Sequence, residues 1–306
     1  MTQANRIRVA VYLAAVVYVL APLWILITAR SPATDSVTFY SCVVIFLCFT
    51  MVARWDIVGC GLRFGFLLIL LMIAYKRGGW LPPAIVLALL LFVELWLQGS
   101  SKEKPTQLSF PLAGGTYYVA HGGSLRLLNH HRVSKSQAYA LDIVRLNSIG
   151  MRAVGVYPKR LDRYRIFGDL LYSPCSGVVT TVVTDLPDLL PGEMDKKHIA
   201  GNHVVIQLDG KEIYIGLAHL MQGSVTVKAG ERVSTGQPIG RVGNSGNTTE
   251  PHLHIHAKRG GNPTSMLGGA GVPMRFGRSP LIRNSIVRHV QPPRTDFVAE
   301  AEGPSA

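Results

Sequence analysis

Three histidines alternate along the stretch Glu250 to Lys258, which reads EPHLHIHAK. Side chains of a β-strand alternate between its two faces, so His252, His254 and His256 would share one face. Imidazole nitrogen is a common zinc ligand, and a catalytic zinc site usually takes three protein ligands. Solvent-facing histidines on an amphipathic strand would give the same pattern, so the motif by itself leaves both interpretations open.

Two other segments strengthen the metal interpretation. His219 ends an apolar, strand-like stretch in YIGLAHL, Tyr214–Leu220. In NHHRVSKSQAYALDIV, Asn129–Val144, a pair of histidines precedes Asp142, and apolar residues flank the aspartate. A carboxylate buried among apolar neighbours needs a partner, and a metal ion is a suitable one.

The cysteines and the charge limit the alternatives. Cys175 is the only cysteine after Cys60, so the C-terminal part of the chain offers neither a disulfide nor a multi-cysteine zinc site. The net charge of +13 favours an anionic partner, either lipid headgroups or a cell-wall polymer. The sequence has no nucleic-acid recognition motif, so nucleic acid is not an expected partner.

Taken together, these motifs resemble the lysostaphin-type (LytM-like) zinc endopeptidases, which cleave peptide cross-links of the bacterial cell wall. The resemblance covers about Gly114 to Ala257. It is carried by PHLHIH after GNSGNTTE, by YIGLAHL upstream, by VKAGERVSTGQPIGRVG between them, and by SPCSGVV and GNHVVI in the expected order. It implies a mainly antiparallel β domain, Zn2+ as cofactor and peptidoglycan peptides as partners.

The resemblance also implies a role for each site residue. His254 and Asp142 would ligate zinc. His252 would be the general base that takes a proton from zinc-activated water, and His219 would orient that water or stabilise the developing oxyanion. These roles agree with the chemistry, because zinc lowers the pKa of bound water toward about 7 and imidazole titrates near that value.

The first zinc ligand departs from the family pattern, which places a histidine four residues before the aspartate. Ala138 holds that position here, and His131 lies eleven residues before Asp142. If an insertion over roughly Arg132–Gln137 loops out, His131 can return to the metal, with His130 as the alternative ligand. If neither histidine reached the metal, the domain would be a catalytically inactive module.

The remaining histidines receive simpler interpretations. We interpret His121, His198 and His289 as surface residues and His203 as a structural residue. We expect His256 either to contact a metal ligand without binding the metal itself or to be exposed. The alternative is that it contacts the substrate.

The elements that must position these residues are short strands. Gly177–Val183 is rich in β-branched residues, and Val204–Leu208 and Glu212–Leu217 flank the turn signal Asp209-Gly210. Many short strands separated by turns predict an antiparallel β domain. The acidic stretch Asp185–Lys197 is predicted to be a long surface loop.

Apolar runs dominate the N-terminal third of the chain. A membrane-spanning helix needs about 20 apolar residues. We therefore predict about four transmembrane helices in residues 1–100, a linker in 101–113, a LytM-like peptidase domain in 114–290 and a disordered tail in 291–306. The runs that carry this prediction are Ile7–Thr28, Val37–Ala53, Ile57–Tyr75 and Leu81–Leu97.

The sequence thus predicts a membrane-anchored zinc metalloendopeptidase that hydrolyses peptidoglycan stem or cross-bridge peptides. The alternatives are an inactive LytM-like module that binds cell wall or regulates other wall hydrolases, and a peptidase acting on a protein substrate. We expect a multi-pass protein of the bacterial cytoplasmic membrane, with the lipid membrane as a partner. Lysine and arginine counts slightly favour a cytoplasmic C-terminal domain, but a wall substrate requires an extracytoplasmic one, which we expect. The oligomeric state is left open.

Overall fold

The computed structural model describes residues 53–63, 65, 68, 72, 103–126, 128–277 and 279–288. Helix α1 is a single turn, Trp55–Val58, and two 3-10 helices span His130–Val133 and Leu161–Arg163. The strands are β1 Thr106–Leu108, β2 Thr116–His121, β3 Leu141–Leu146, β4 Leu170–Tyr172, β5 Gly177–Val183, β6 Asn202–Leu208, β7 Ile213–Leu220, β8 Arg232–Val233, β9 Pro238–Arg241, β10 Leu253–Arg259, β11 Ala270–Val272, β12 Met274–Phe276, β13 Ser279–Pro280 and β14 Ile286–Val287.

A nine-stranded antiparallel sheet organises the domain. Its strand order is β14-β2-β3-β10-β7-β6-β5-β8, and β11 pairs with β10 beside this path. The predicted strand Gly177–Val183 is β5, and the hairpin predicted around Asp209-Gly210 joins β6 to β7. The expectation of a mainly antiparallel β domain is therefore confirmed.

The two faces of the central strands differ in chemistry. Leu253 and Ile255 of β10 pack into the main apolar core together with Ile215 of β7. Since side chains alternate along a strand, His254 and His256 lie on the opposite face, where they are also buried. Burial of each large aliphatic side chain contributes about 1.5–3 kcal/mol. The core face thus holds the sheet rigid while the opposite face carries the polar site.

The predicted membrane-spanning region requires correction. Among the described residues, no helix combines the length and the apolar character needed to cross a membrane. The first and fourth apolar runs lie outside the described residues, as does the second run except for Ala53. The fold class that the described residues support is a mainly antiparallel β domain, and the four predicted transmembrane helices are not found among these residues.

The junction between the second and third apolar runs contacts the β domain. Helix α1 is only one turn long, and it ends at Gly59, whose φ of 110° departs from helical geometry. Trp55 and Asp56 are fully buried, and the Trp55 N–H donates to the Tyr118 hydroxyl on β2 at 3.2 Å. This turn therefore packs against the β domain.

The predicted linker and tail compare with the structure as follows. Strand β1 lies within the predicted linker and pairs in parallel with β12, and Leu108, Phe110 and Leu112 belong to the main core. The predicted tail, 291–306, lies outside the described residues.

Candidate metal centre

Four adjacent strands bring the candidate residues together. On β3, Asp142 is paired with His254 of β10 on one side and with His121 of β2 on the other. On the far side of β10, Ala218 of β7 pairs with His254 and precedes His219. Directly paired residues of an antiparallel sheet have neighbouring side chains. The strand order β2-β3-β10-β7 therefore gathers four distant segments of the sequence.

Asp142 is the centre of this group. The Nε2 atom of His131 lies 2.9 Å from both of its carboxylate oxygens, and the Nδ1 atom of His254 lies 3.0 Å from Oδ1. One ligand atom from each of these three residues falls within 4.8 Å of the others. These nitrogen and oxygen donors are the types that zinc takes in sites that lack cysteine.

Asn129 holds His131 near Asp142 despite the insertion between these two residues. The Asn129 side chain accepts a hydrogen bond from the His131 N–H at 3.1 Å and donates to the carbonyl of Ala140 at 3.1 Å. It is fully buried, and it begins the 3-10 helix that carries both histidines of the pair. The intervening residues loop out, as the spacing predicted. The loop also meets β11, since the Gly271 N–H donates to the carbonyl of Lys135 at 2.8 Å.

A hydrogen-bond relay determines which nitrogen of His254 carries the proton. The Nε2 atom of His256 lies 2.9 Å from the carbonyl oxygen of Met266, and a carbonyl only accepts, so this Nε2 carries a proton. In a neutral ring the Nδ1 of His256 then accepts from the Nε2–H of His254 at 3.2 Å. The Nδ1 of His254 consequently has a free lone pair.

This arrangement fits a cation between His254 and Asp142. Burial lowers the pKa of His256 to about 4 and is the main cause that holds the pKa of His254 well below its usual value, so both rings are neutral. An unprotonated Nδ1 and a carboxylate oxygen only 3.0 Å apart both present lone pairs. A metal ion between them satisfies both atoms.

His252 has the geometry of a proton acceptor. Its Nδ1 lies 2.8 Å from the carbonyl oxygen of Glu250 and 3.1 Å from the Thr248 hydroxyl, and its Nε2 lies 3.5 Å from Oδ1 of Asp142. Burial alone would lower the pKa of His252, but the charge of Asp142 and the hydrogen bonds outweigh it and raise the pKa. The Nε2 atom thus faces the site and is basic.

His219 reaches the site through a backbone feature. Alternation along β7 would direct it toward the core, but its φ of 62° reverses the side chain. Its ring centroid lies 4.8 Å from that of His252, and its Nδ1 lies 2.9 Å from the carbonyl oxygen of Ser245. Burial is the main cause that lowers the pKa of His219 to about 3. The ring is neutral, with Nε2 as an acceptor.

Asp142 remains ionised despite its burial. Burial by itself would raise the pKa of this carboxyl, but nearby His131 and His252 and hydrogen bonds from His121 and His131 bring it well below the usual value. The site therefore offers one negative charge among several imidazoles.

A buried charge cluster supports the loop before His252. Arg152 donates through Nε to Glu250 at 2.8 Å. Arg54 donates to Glu250 at 2.8 Å and to Asp56 at 2.8 and 2.6 Å. These two arginines and two carboxylates balance in charge, and they connect helix α1 to the loop whose carbonyl orients His252.

The acidic loop 185–197 is attached beside the site. Asp188 accepts from the N–H groups of Asn244 at 2.6 Å and Gln222 at 3.0 Å, and Gly192 donates to the carbonyl of Thr249 at 2.8 Å. The loop thereby supports the segment before β10. An open cleft of about 330 Å³ lies over the site, and Arg54, His130, His131, Asp142, His219 and His252 contribute to its lining.

Sequence reasoning missed or misplaced several residues. His121, interpreted as a surface residue, is half-buried, and its Nδ1 lies 3.0 Å from Oδ2 of Asp142. Its position at the end of the apolar, strand-like segment TYYVAH was the available signal. Asn129 was recognisable only as part of an Asn-x-His motif. Nothing local indicated that Arg152, 98 residues away, pairs with Glu250.

Comparison with known proteins gives a family match for part of the chain. Residues 167–266 match the model of Peptidase family M23. Over 82 residues, the chain is 42% identical to the peptidoglycan DD-endopeptidase ShyA of Vibrio cholerae, an alignment that covers 26% of this chain and 18% of ShyA. The chain thus matches less than a fifth of the length of this curated relative. The comparisons support an M23 peptidase domain of the LytM/lysostaphin type, and the resemblance noted from the sequence is confirmed to that extent.

Solved structures give distant matches. A zinc-containing peptidase from Vibrio cholerae is 20% identical, with 51% of this chain and 37% of that chain covered and a TM-score of 0.29. Lysostaphin from Staphylococcus simulans is 16% identical, with 57% and 48% covered and a TM-score of 0.28.

Proposed function

We propose that this chain is a zinc metalloendopeptidase that hydrolyses peptide bonds in peptidoglycan stem or cross-bridge peptides. The observation that carries the proposal is the donor set of His131, Asp142 and His254, in which the hydrogen-bond relay leaves His254 Nδ1 unprotonated toward the carboxylate. The M23 match supports the reaction class, and the name of ShyA supports the substrate class. A zinc ion held here would polarise the scissile carbonyl and lower the pKa of water.

The chain's own residues would move the proton. His252 Nε2 would accept a proton from the attacking water, because its Nδ1–H is held by the carbonyl of Glu250. The Asp142 carboxylate, 3.5 Å away, would stabilise the resulting imidazolium. That imidazolium could then donate its proton to the leaving amine.

His219 would orient the attacking water. Its Nδ1–H donates to the carbonyl of Ser245, so the neutral ring presents Nε2 as an acceptor. This tautomer favours the water-orienting role over hydrogen-bond donation to an oxyanion, which was the other role implied by the resemblance.

A peptidoglycan substrate also implies a location. We propose that the β domain acts outside the cytoplasm, where the wall lies. Alkaline phosphatase fused to the C-terminus should be active in intact cells, whereas an inactive fusion would contradict this location.

The function is tested with purified chain and isolated sacculi. Release of peptides with new termini, identified by mass spectrometry, is expected with zinc and should be abolished by a chelator or by Asp142→Asn. Binding to sacculi without release of peptides would favour the inactive wall-binding module. Cleavage of protein substrates with intact sacculi would favour the third alternative.

A further inference from the structure

Asp142 presents its two carboxylate oxygens to different histidines. Oδ1 lies 3.0 Å from His254 Nδ1, and Oδ2 lies 3.0 Å from His121 Nδ1. His131 Nε2 is 2.9 Å from both oxygens. Only the Oδ1 side is needed for the donor set of the proposed zinc site, so His121 on the Oδ2 side is not a member of that set.

A second donor group exists on the Oδ2 side. Within the part of the chain that the structure describes, ligand atoms of His121, His130 and Asp142 lie within 4.8 Å of one another, as do those of His131, Asp142 and His254. Ligands around a tetrahedral zinc lie about 3.4 Å apart, given zinc–nitrogen bonds of about 2.1 Å. Because His130 is exposed, a rotation of its side chain could close the second group around an ion.

The fold directs His121 to this position. Alternation from Val119 would turn His121 toward the core, but β2 has a bulge between these two residues. Bulges re-aim side chains, and this bulge brings His121 opposite Asp142. The His121 and His130 rings meet edge to face, with centroids 4.4 Å apart.

We propose that His121, His130 and Asp142 Oδ2 form a second metal site, so that Asp142 bridges two divalent cations. Two imidazoles and one carboxylate favour zinc or another first-row transition ion over magnesium or calcium. Carboxylate-bridged pairs of ions lie about 3.5–4 Å apart. The inference shares Asp142 with the proposed function and therefore rests on its metal centre.

Asp142 supplies the one carboxylate of both donor groups, and the positive charges of Arg54 and Arg283 act on His121. Arg54 lines the same cleft, but its guanidinium is paired with Asp56 and Glu250, and Arg152 completes a cluster of balanced charge. The second ion adds positive charge beside the first, so it binds more weakly. Zinc should therefore fill the two sites at different concentrations.

The test counts ions in the full-length chain, prepared without a histidine tag and titrated with zinc alone. Mass spectrometry of the metal should give two ions per chain for the wild type and one for His121→Ala and His130→Ala. His198→Ala is the matched control, since His198 forms an exposed pair with Asp195 at 2.7 Å, and it should retain two. X-ray absorption of the two-zinc form should show zinc–zinc scattering at about 3.5–4 Å.

The competing explanation is that His121 only hydrogen-bonds to Asp142 and orients it. In that case the wild type would bind one ion, and His121→Ala would bind the same single ion about 10–100-fold more weakly. That result, or two ions without zinc–zinc scattering, would overturn the second site. Ion count and peptide release together separate the two proposals. If the chain binds one ion and releases peptides, only the second site is contradicted. If it binds two ions and releases no peptides, only the proposed function is contradicted.

Discussion

At the residue scale, the site depends on which nitrogen of each histidine carries a proton. Carbonyl oxygens of Met266, Glu250 and Ser245 determine this, because they can only accept hydrogen bonds. As a result, His254 turns an unprotonated nitrogen toward Asp142, and His252 turns a basic nitrogen into the cleft. Identical side chains thus acquire different roles from their backbone partners.

Replacement of His252 separates proton transfer from metal binding. His252→Ala should lower kcat/KM for peptidoglycan peptides about 10²–10⁴-fold, since it removes the proton acceptor. Zinc content should stay at the wild-type value, because His252 is not a member of either donor group. Rates are measured on soluble muropeptides and zinc by mass spectrometry. His198→Ala should match the wild type in both, and loss of zinc from His252→Ala would contradict this assignment.

At the element scale, the pairing of β7 with β10 creates the space for the relay. Gly216 pairs with His256, and a Cβ at Gly216 would lie 2.8 Å from the His256 ring and 2.8 Å from the sulfur of Met266. Real Cβ atoms essentially never come so close. The position of the His256 ring therefore requires a glycine at residue 216.

Gly216→Ala should therefore weaken zinc binding. Displacement of His256 removes the hydrogen bond that orients His254, and loss of such a partner costs about 10–100-fold in metal affinity. Competition with a chromogenic chelator gives the affinity. Gly240→Ala on β9 is the control, because its Cβ would come no closer than 3.5 Å to any neighbour. Equal affinities for both variants would contradict the relay.

The loop before β10 is stabilised by charge, which makes its stability depend on pH. Burial alone would raise the pKa of Glu250, but Arg152 and Arg54 outweigh burial and lower it from 4.5 to about 2. A carboxyl with a lowered folded-state pKa contributes stability above its unfolded pKa and loses it as pH falls through the folded one. The contribution is present above about pH 4.5 and is lost toward pH 2.

Glu250→Gln should accordingly reduce the free energy of unfolding by on the order of 3 kcal/mol at pH 7. The difference from the wild type should shrink as pH falls from 4.5 toward 2. Urea denaturation at several pH values measures it. As a control, Glu231→Gln removes a partly exposed carboxylate that accepts a hydrogen bond from the Lys228 N–H, and it should have little effect. If Glu250→Gln lowered the free energy of unfolding by the same amount at every pH, the stabilisation by Glu250 would not be ionic in origin.

At the scale of the whole molecule, residues that precede the β domain in sequence complete its structure. Trp55 and Tyr118 belong to a second apolar cluster, and the Arg152 N–H donates to the carbonyl of Asp56 at 2.9 Å. Helix α1 is thereby joined to the loop that orients His252, through Arg54 and Glu250.

Trp55→Ala should destabilise the domain by about 3–5 kcal/mol, because it leaves a cavity in this cluster. The change is measured as the free energy of unfolding from urea denaturation. Leu62→Ala, at a side chain that is 48% exposed, should change it little. Equal stability of Trp55→Ala and the wild type would show that α1 does not dock on the sheet.

Local patterns in the sequence were sufficient for the strands β5 and β6, the β6–β7 hairpin, the antiparallel class and the resemblance to a peptidase family. These depend on alternation, turn residues and motif spacing, which are short-range properties. The predicted membrane-spanning helices are not found among the described residues, and apolar content alone did not show that Trp55, which lies between the second and third apolar runs, packs on the sheet. It also misplaced His121, because a bulge changes its face.

Sequence alone determined which residue types were available for chemistry, namely several histidines and one aspartate with apolar neighbours. Only the tertiary structure decided how they combine, because strand order brings together segments more than a hundred residues apart, such as Asp142 and His254. The tautomer of each ring, the reversal at His219 and the buried pairing of Arg152 with Glu250 likewise depend on long-range contacts. No local pattern encodes them, since each is decided by the partner that folding brings into reach.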